Sequence, residues 1–373
     1  MRVLHVVPSL SATRGGPSYV AVHLARALAA RGARVELIAT RSDLRDGEEA
    51  TLRATLGAIP LTLTSIVGTA RLELSPLLLP RLVAQIRHAD LVHVHTVFTY
   101  PAALAPIVCR ALSVPYLVRP AGTLDETCLA SRSTGRKRLA IGAYVRPNLL
   151  SAAAVHVTSA LERNDLAALA PEAHLELMEL GVALPDAAPP VRTRRVGYLG
   201  RLHPIKRIEV LIRALSALPD VELVLAGAGD AAYETSLRDL ASALGVGDRT
   251  RFLGHVDDHD KRAFLASCAV VASPSSHESF GVAVAEALAA ARPVVVSPEV
   301  GLASEVTAHG AGLVAAADPP AFAAALASLL DEPLRAQAMG RAGRALAESR
   351  WSWDAVATRT LEVYAKILAR RGG

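Results

Sequence analysis

Ser273-Pro274-Ser275-Ser276-His277-Glu278-Ser279-Phe280-Gly281-Val282-Ala283-Val284-Ala285-Glu286-Ala287-Leu288-Ala289 is the stretch from which the fold can be read. It is a strand end, a polar loop closed by Phe280-Gly281, and an Ala/Val/Leu helix whose apolar row is broken by one carboxylate, Glu286. An ionised group on an apolar helix is costly unless something pairs with it. Glu278, in the loop before the helix, is a second acid. Helix N-termini favour anions through free N–H groups and the macrodipole. Two acids flanking such a start suit an extended ligand with hydroxyls at both ends and negative charge between them.

Outward from this stretch, the same strand, loop and helix unit recurs. Upstream, Arg195 to Leu199 reads as a strand, Gly200-Arg201-Leu202-His203-Pro204-Ile205-Lys206 as a loop, and Ile208 to Leu218 as a helix. Val221 to Ala226 follows, ending in Gly227-Ala228-Gly229, and then Arg251 to Leu253 with Gly254-His255-Val256. Downstream, Pro293 to Ser297 enters Pro298 to Glu305. Repeated units of this kind make a parallel sheet that binds ligands at the carboxyl ends of its strands. Arg201 and Lys206 lie on one such loop, where two fixed cations can neutralise a diphosphate; the plainer alternative is a surface pair of basic residues. Asp258-His259-Asp260 mimics an Asp-x-Asp metal motif, but it opens a helical stretch instead of following a strand, which reads as capping.

The first half has the same grammar. Val3 to Val7 reads as a buried strand, and the apolar run before Pro8 is too short for a signal peptide. A loop with Gly15-Gly16 leads to a helix from Tyr19 to Ala30 and a strand from Val35 to Thr40. Gly16 serves either turn geometry or a backbone approach to phosphate. Pro76 to His88 is helix-like, and Ala89 to Thr96 is a strand on which His93 and His95 share one face. A metal pair there has no third ligand nearby in sequence, and His95, nearer the carboxyl end, is the better candidate for touching substrate. Tyr100 to Leu112 is a helix and Pro115 to Val118 a strand. In the loop after it, Arg119 and Asp125 either bind substrate or form a solvated pair. Arg132, Arg136, Lys137, Arg138 and Arg146, punctuated by Leu139, Ile141 and Tyr144, are either a solvated helix face or a docking surface for anionic lipid or a phosphorylated acceptor.

With 373 residues, 51% of them hydrophobic, the chain has enough core for two domains. Pro185 to Pro190 is a proline-rich break. The expected division is a Rossmann-like domain over 1–186, a second over 191–350, and a C-terminal segment over 351–373. Trp351 and Trp353 need burial beside that last helix, which therefore docks back across the boundary. A formal charge of +5 with scattered arginines argues against nucleic acid. Three distant cysteines argue against a disulfide framework or a zinc site, and a reducing cytoplasm fits. No run reaches the roughly 18 apolar residues that span a bilayer, so membrane contact is expected to be peripheral, at the inner face of the plasma membrane.

On these residues the chain resembles the retaining nucleotide-sugar glycosyltransferases of the family called glycosyltransferase family 4, or group 1. The resemblance rests on Gly200-Arg201-Leu202 with Lys206, and on Glu278 with seven residues before Glu286 around Phe280-Gly281. Gly15-Gly16 and Asp90-Leu91-Val92-His93-Val94-His95 add to it. It implies an α/β protein of GT-B architecture, two Rossmann-like domains facing across a cleft, with acceptor on the first, donor on the second and the last helix crossing back to the first. It also implies no cofactor, no metal, and a UDP- or GDP-sugar donor. Carried onto this chain, Arg201 and Lys206 would grip the diphosphate, Glu286 the ribose hydroxyls, and Glu278 would lie near the transferred sugar. Phe280 and Gly281 would offer backbone N–H groups, Gly16 would approach the diphosphate, and His255 and Val256 would lie near the base.

Two positions depart from the family pattern. Ala121 stands where many relatives have a histidine, for which Arg119, His95 and Asp125 are the candidate substitutes. Ala291 stands where glycine is usual after the helix, at a cost of about 1 kcal/mol or less.

The resemblance implies sugar transfer with retention to a glycan or lipid-linked acceptor in cell-surface polysaccharide synthesis. An epimerase of the same fold, or a nucleotide-sugar-binding protein whose catalysis has lapsed, are the alternatives. A dehydrogenase is a further rival that shares the Rossmann layout, but no Gly-x-Gly-x-x-Gly follows Val3 to Val7 and Gly15-Gly16 comes too late.

Overall fold

The apolar strand runs and the glycine-punctuated loops between them fold as two parallel α/β units. A computed structural model describes residues 1–11, 15–69, 73–124, 134–186 and 193–372. One compact unit comprises Met1–Gly181 with Trp353–Gly373, the other Val182–Ser352. The chain thus leaves the first unit shortly before the proline-rich break and returns within Trp351-Ser352-Trp353.

The first unit is built on β1 (Arg2–Ser9), β2 (Arg34–Thr40), β3 (Leu61–Thr64), β4 (Leu91–His95), β5 (Tyr116–Arg119), β6 (Ala154–Val157) and β7 (Leu175–Leu177), in the order β3-β2-β1-β4-β5-β6-β7. The described pairings are parallel. Strand order reverses between β1 and β4, which makes the loops after these two strands the place where an open α/β sheet takes its ligand. One sheet face packs under the helix Gly16–Ala30 and the C-terminal helix Trp353–Gly372, through Val3, Val7, Leu24, Leu28, Val356 and Tyr364. Gly181 is required here: a Cβ on it would lie 2.4 Å from the Trp353 ring. The last helix therefore belongs to the first unit.

The second unit carries β8 (Arg195–Leu199), β9 (Glu222–Ala226), β10 (Thr250–Gly254), β11 (Val270–Ser273), β12 (Val294–Val296) and β13 (Gly312–Val314), ordered β10-β9-β8-β11-β12-β13. Its described pairings are parallel as well. The switch point lies between β8 and β11, so the loops starting at Gly200 and Pro274 emerge side by side. Val294, Val295 and Val296 are all 0% exposed, because both faces of the central strands are covered. Trp351 is also 0% exposed, with its ring edge-on to Phe280 at 6.0 Å.

Several elements differ in extent from the sequence reading. The first helix begins at Gly16 because Pro17 sits in its first turn, where a missing N–H costs nothing. The helix expected from Ile208 to Leu218 is α-helical only to Ala214 and tightens to a 3-10 turn over Leu215–Ala217. Short polar or isolated elements were not anticipated: the helix Glu48–Leu56, β3 and β13.

Candidate active site

In the second unit, the loop after β8 is shaped by close backbone packing. Gly200 N donates to Ala226 O (3.0 Å) and Leu202 N to Ala228 O (3.0 Å). A Cβ on Gly227 would lie 1.9 Å from Gly200 O, so the two strand-end loops can touch only with glycine there. His203 caps the turn Pro204–Lys206, its Nδ1 accepting from Ile205 N at 3.3 Å. Burial, then the neighbouring Arg201 and Lys206 cations, hold His203 below the usual imidazole range. Arg201 is exposed, while its carbonyl accepts from Tyr198 Oη at 2.9 Å. Only two cations had been read from this loop; the histidine that fixes the turn carried no signal in its own sequence context.

The loop after β11 is bound to the first one. Ser276 N and Oγ both donate to Ile205 O, at 2.9 and 3.1 Å. Lys206 Nζ pairs with Glu278 Oε2, with side chains 16% and 26% exposed. The backbone of Glu278 is held on both sides, its N donating to Glu299 O (2.9 Å) and its carbonyl accepting from Gly301 N (2.8 Å). Gly281 then caps the helix Val282–Ala289 at φ 100°, a left-handed turn that favours glycine. Phe280 is 2% exposed, so its ring is part of the core; only its backbone is left for a ligand.

Glu286 projects from that helix and is 12% exposed at its side chain. It is paired with Lys261 Nζ at 2.6 Å, and Lys261 also reaches Asp258 Oδ1 at 2.9 Å. Burial raises the Glu286 carboxyl, an effect Lys261 partly offsets. On Lys261 the balance reverses: burial works against its charge, but Glu286 and Asp258 outweigh it and hold the ammonium firmly protonated. Sequence reasoning missed Lys261, which sits 25 positions from Glu286 on another helix. That helix, Asp258–Ser267, is capped by Asp257 Oδ1, which accepts from Asp260 N at 2.8 Å. The Asp-His-Asp triplet is thus a helix start. His255, exposed, and Val256, half-buried, line a groove of about 370 Å3 that extends past Phe264 to Arg195 at the amino end of β8.

The first unit holds a different constellation at its own switch point. His5, His93, His95 and His156 are all buried. Register sets His5 against His93 and His95 against Arg119. The Met178 carbonyl accepts from His156 Nε2 (2.6 Å), which leaves His156 Nδ1 to accept from His93 Nε2 (3.2 Å). His93 Nδ1 in turn accepts from Tyr364 Oη at 2.6 Å. Burial keeps the imidazoles neutral: His5 and His156 are pushed down to about 3, His93 and His95 also well down.

The third histidine absent from the local sequence is therefore His5, on the adjacent strand. The ligand atoms of His5, His93 and His95 lie within 4.8 Å of one another. Yet both ring nitrogens of His93 are committed to Tyr364 and His156, which leaves His5 and His95 as a pair short of a tetrahedral set.

Arg119 is 3% exposed at the end of β5 and lies beside His95, so a solvated ion pair does not describe it. Asp125 and Arg132 lie outside the described residues; the rest of the basic run, from Arg136 to Arg146, is described. Within that run Arg136, Arg138 and Leu139 are exposed. Gly16 opens the first helix, and a Cβ on it would meet nothing within 4 Å.

Comparison with known proteins matches residues 185–346 to the family described as glycosyl transferases group 1, and residues 15–181 to the glycosyl transferase 4-like domain. A D-inositol 3-phosphate glycosyltransferase of Salinispora tropica is 35% identical over 192 residues, 48% of this chain and 40% of that protein. The chain spans less than half the length of the curated relatives it matches. Among solved structures, a sucrose-phosphate synthase from Thermosynechococcus elongatus superposes with a TM-score of 0.80 at 23% identity, covering 99% of both chains. Anabaena Alr3699/HepE, solved with UDP and glucose, gives 0.79 at 19% identity over 98% of this chain and 100% of its own. The fold is GT-B, with two Rossmann-like domains.

Proposed function

The chain belongs to the group 1 glycosyltransferases, and from that premise we propose that it transfers a sugar, with retention and without a metal, from a nucleoside-diphosphate sugar to a hydroxyl of a glycan or lipid-linked acceptor. The observation that carries this reading is the joining of two switch-point loops, which brings Lys206 onto Glu278 beside the helix that bears Glu286. Cations for a diphosphate and acids for hydroxyls then converge at one sheet edge. A cell-surface polysaccharide is the product class we favour.

In the reaction, the bond between the anomeric carbon and the diphosphate oxygen breaks as the acceptor oxygen bonds to the same face of that carbon. The acceptor proton passes to the departing phosphate oxygen. Arg201 and Lys206 meet the charge that develops on the diphosphate, and preorganised charge of this kind is typically the largest catalytic contribution. Glu286 takes the ribose hydroxyls, and Glu278 holds Lys206 and a hydroxyl of the transferred sugar. Backbone N–H groups of Phe280 and Gly281 face the sugar or phosphate, and His255 with Val256 borders the base. His95 and Arg119 serve the acceptor.

A thermal-shift series with UDP-, GDP- and ADP-sugars, each with and without EDTA, tests the donor half. A UDP-sugar comes first, since Alr3699/HepE was solved with UDP and glucose. One donor should raise the melting temperature equally in both conditions. Stabilisation abolished by EDTA would remove the metal-free mechanism. Conversion of the donor sugar to an epimer without an acceptor would remove transfer.

A further inference from the structure

Around Arg119 the first unit collects buried polar atoms without hydrogen-bond partners among the described residues. Arg119 Nε and Nη1 are fully buried and have no hydrogen-bond partner among the described residues. The same holds for His95 Nδ1 on the neighbouring strand and for Thr96 Oγ1 and Thr99 Oγ1 in the loop that follows it. Thr99 is the N-cap of the helix Tyr100–Ala111, yet its hydroxyl caps no backbone N–H. Buried polar groups are nearly always satisfied, so five orphaned atoms on one strand pair and its loop ask for a ligand.

The nearest opposite charge does not fill this role. Glu162 acts on Arg119 electrostatically, but its carboxylate is taken by Gly122 N (2.8 Å), Thr158 N (2.7 Å) and Thr158 Oγ1 (2.6 Å). Burial lowers Arg119 to about 10, which leaves it cationic at neutral pH. The backbone is also held out of its comfortable range at both strand ends, with Thr96 at φ 67° and Ala121 at φ 57°. Such positions, above all for a β-branched residue, persist where the surroundings over-determine them.

We propose that Arg119, with His95, Thr96 and Thr99 beside it, is a subsite for an anionic group on the acceptor, a phosphate or a carboxylate. A buried guanidinium with donors unpaired favours a charged acceptor over a neutral sugar hydroxyl, because a charge-assisted hydrogen bond is the stronger one. The N-terminus of Tyr100–Ala111 adds a partial positive charge at the same place. His95, kept neutral, adds one further donor or acceptor according to its tautomer. This subsite gives Arg119 a task in place of the missing histidine at Ala121. It rests on the reading of the first unit as the acceptor side.

The test is calorimetric titration of the full chain with glucose, glucose 6-phosphate, glucuronate and inorganic phosphate, and of Arg119→Met and Thr99→Val with the same probes. Wild type should bind an anionic probe at least tenfold more tightly than glucose. Arg119→Met should lose that preference, and Thr99→Val should weaken it several-fold. Preference for glucose 6-phosphate over glucuronate assigns a phosphate, and the reverse a carboxylate. Equal binding of glucose and the anions by wild type overturns the proposal even if Arg119→Met does not fold. So does a folded Arg119→Met that keeps the preference. UDP titration of the wild type is read separately: its failure would remove the donor reading and leave the anion comparison standing.

Discussion

Lys206 and Glu278, 72 positions apart in sequence, are ion-paired across the two loops that leave adjacent strands β8 and β11. Each is mostly buried, so neither charge is well placed without the other or a ligand. Removing Lys206 orphans Glu278, and Lys206→Met should therefore cost roughly 1–3 kcal/mol of stability as well as activity. Glu278→Gln in the same chain should recover most of the stability and none of the activity. Transfer should fall by about 10²–10³-fold in either single variant, the scale typical of losing one preorganised transition-state contact. Parallel urea melts and initial rates decide it: a double variant that regains turnover would show that the pair is structural only.

Lys261 makes a separate claim on Glu286. If its 2.6 Å contact orients the carboxylate toward the ribose, Lys261→Met should raise KM for the donor about tenfold with a smaller effect on kcat. A 2′-deoxyribose donor should erase most of the difference. The pH dependence has a definite sign. Burial already raises the Glu286 carboxyl, so its protonated form is favoured by folding and its ionisation costs stability as pH rises through the folded value. Loss of Lys261 raises that value further. The stability deficit of Lys261→Met should thus be greatest at neutral pH and shrink as pH falls below the usual glutamate value of about 4.3. A deficit independent of pH would mean that Lys261 contributes packing alone.

These two pairs show what a sequence can and cannot carry. The strand runs, the glycine breaks and the acid-bearing helix were legible because each is a local pattern, and the reading of Asp258-His259-Asp260 as a helix start needed only its position before a helical stretch. Partners were not. Lys261 joins Glu286 through helix packing, and His5 meets His93 only because β1 lies next to β4 in the sheet. Register and strand order are set by the whole core, so a histidine on one strand carries no mark of the strand beside it. The short helix Glu48–Leu56 lacked the apolar repeat that made its longer neighbours visible, and β3 alternates leucine and threonine over only four residues, too few to stand out.

Ala291 offers a stability test away from the site. It follows the helix Val282–Ala289 in the left-handed region at φ 58°, where a Cβ is strained. Glycine there relieves that strain, and part of the gain is offset by a more flexible unfolded chain. Ala291→Gly should stabilise the second unit by about 0.5–1 kcal/mol, which calorimetry would read as a rise of roughly 1–4 °C. A lower melting temperature would mean that the packing of Gly340 against the Ala291 carbonyl depends on the Ala291 conformation more than the strain costs.

Acid should act chiefly through the buried imidazoles of the first unit. His5 and His156 are pushed down to about 3 by burial, so the unfolded chain binds protons that the folded chain refuses. For a group whose folded value is depressed, the associated stability is present above the unfolded value, near 6.5, and is lost as pH falls toward the folded one. Each such histidine adds a slope of up to about 1.4 kcal/mol per pH unit across that window. His5→Leu should cost about 1–3 kcal/mol at pH 7, because His95 Nε2 loses its 3.0 Å partner. Between pH 6 and pH 4, however, its stability should fall less steeply than that of wild type, by about one proton. Urea denaturation at a series of pH values measures both quantities. An unchanged slope would mean that His5 is not among the protons whose uptake unfolds the protein in acid.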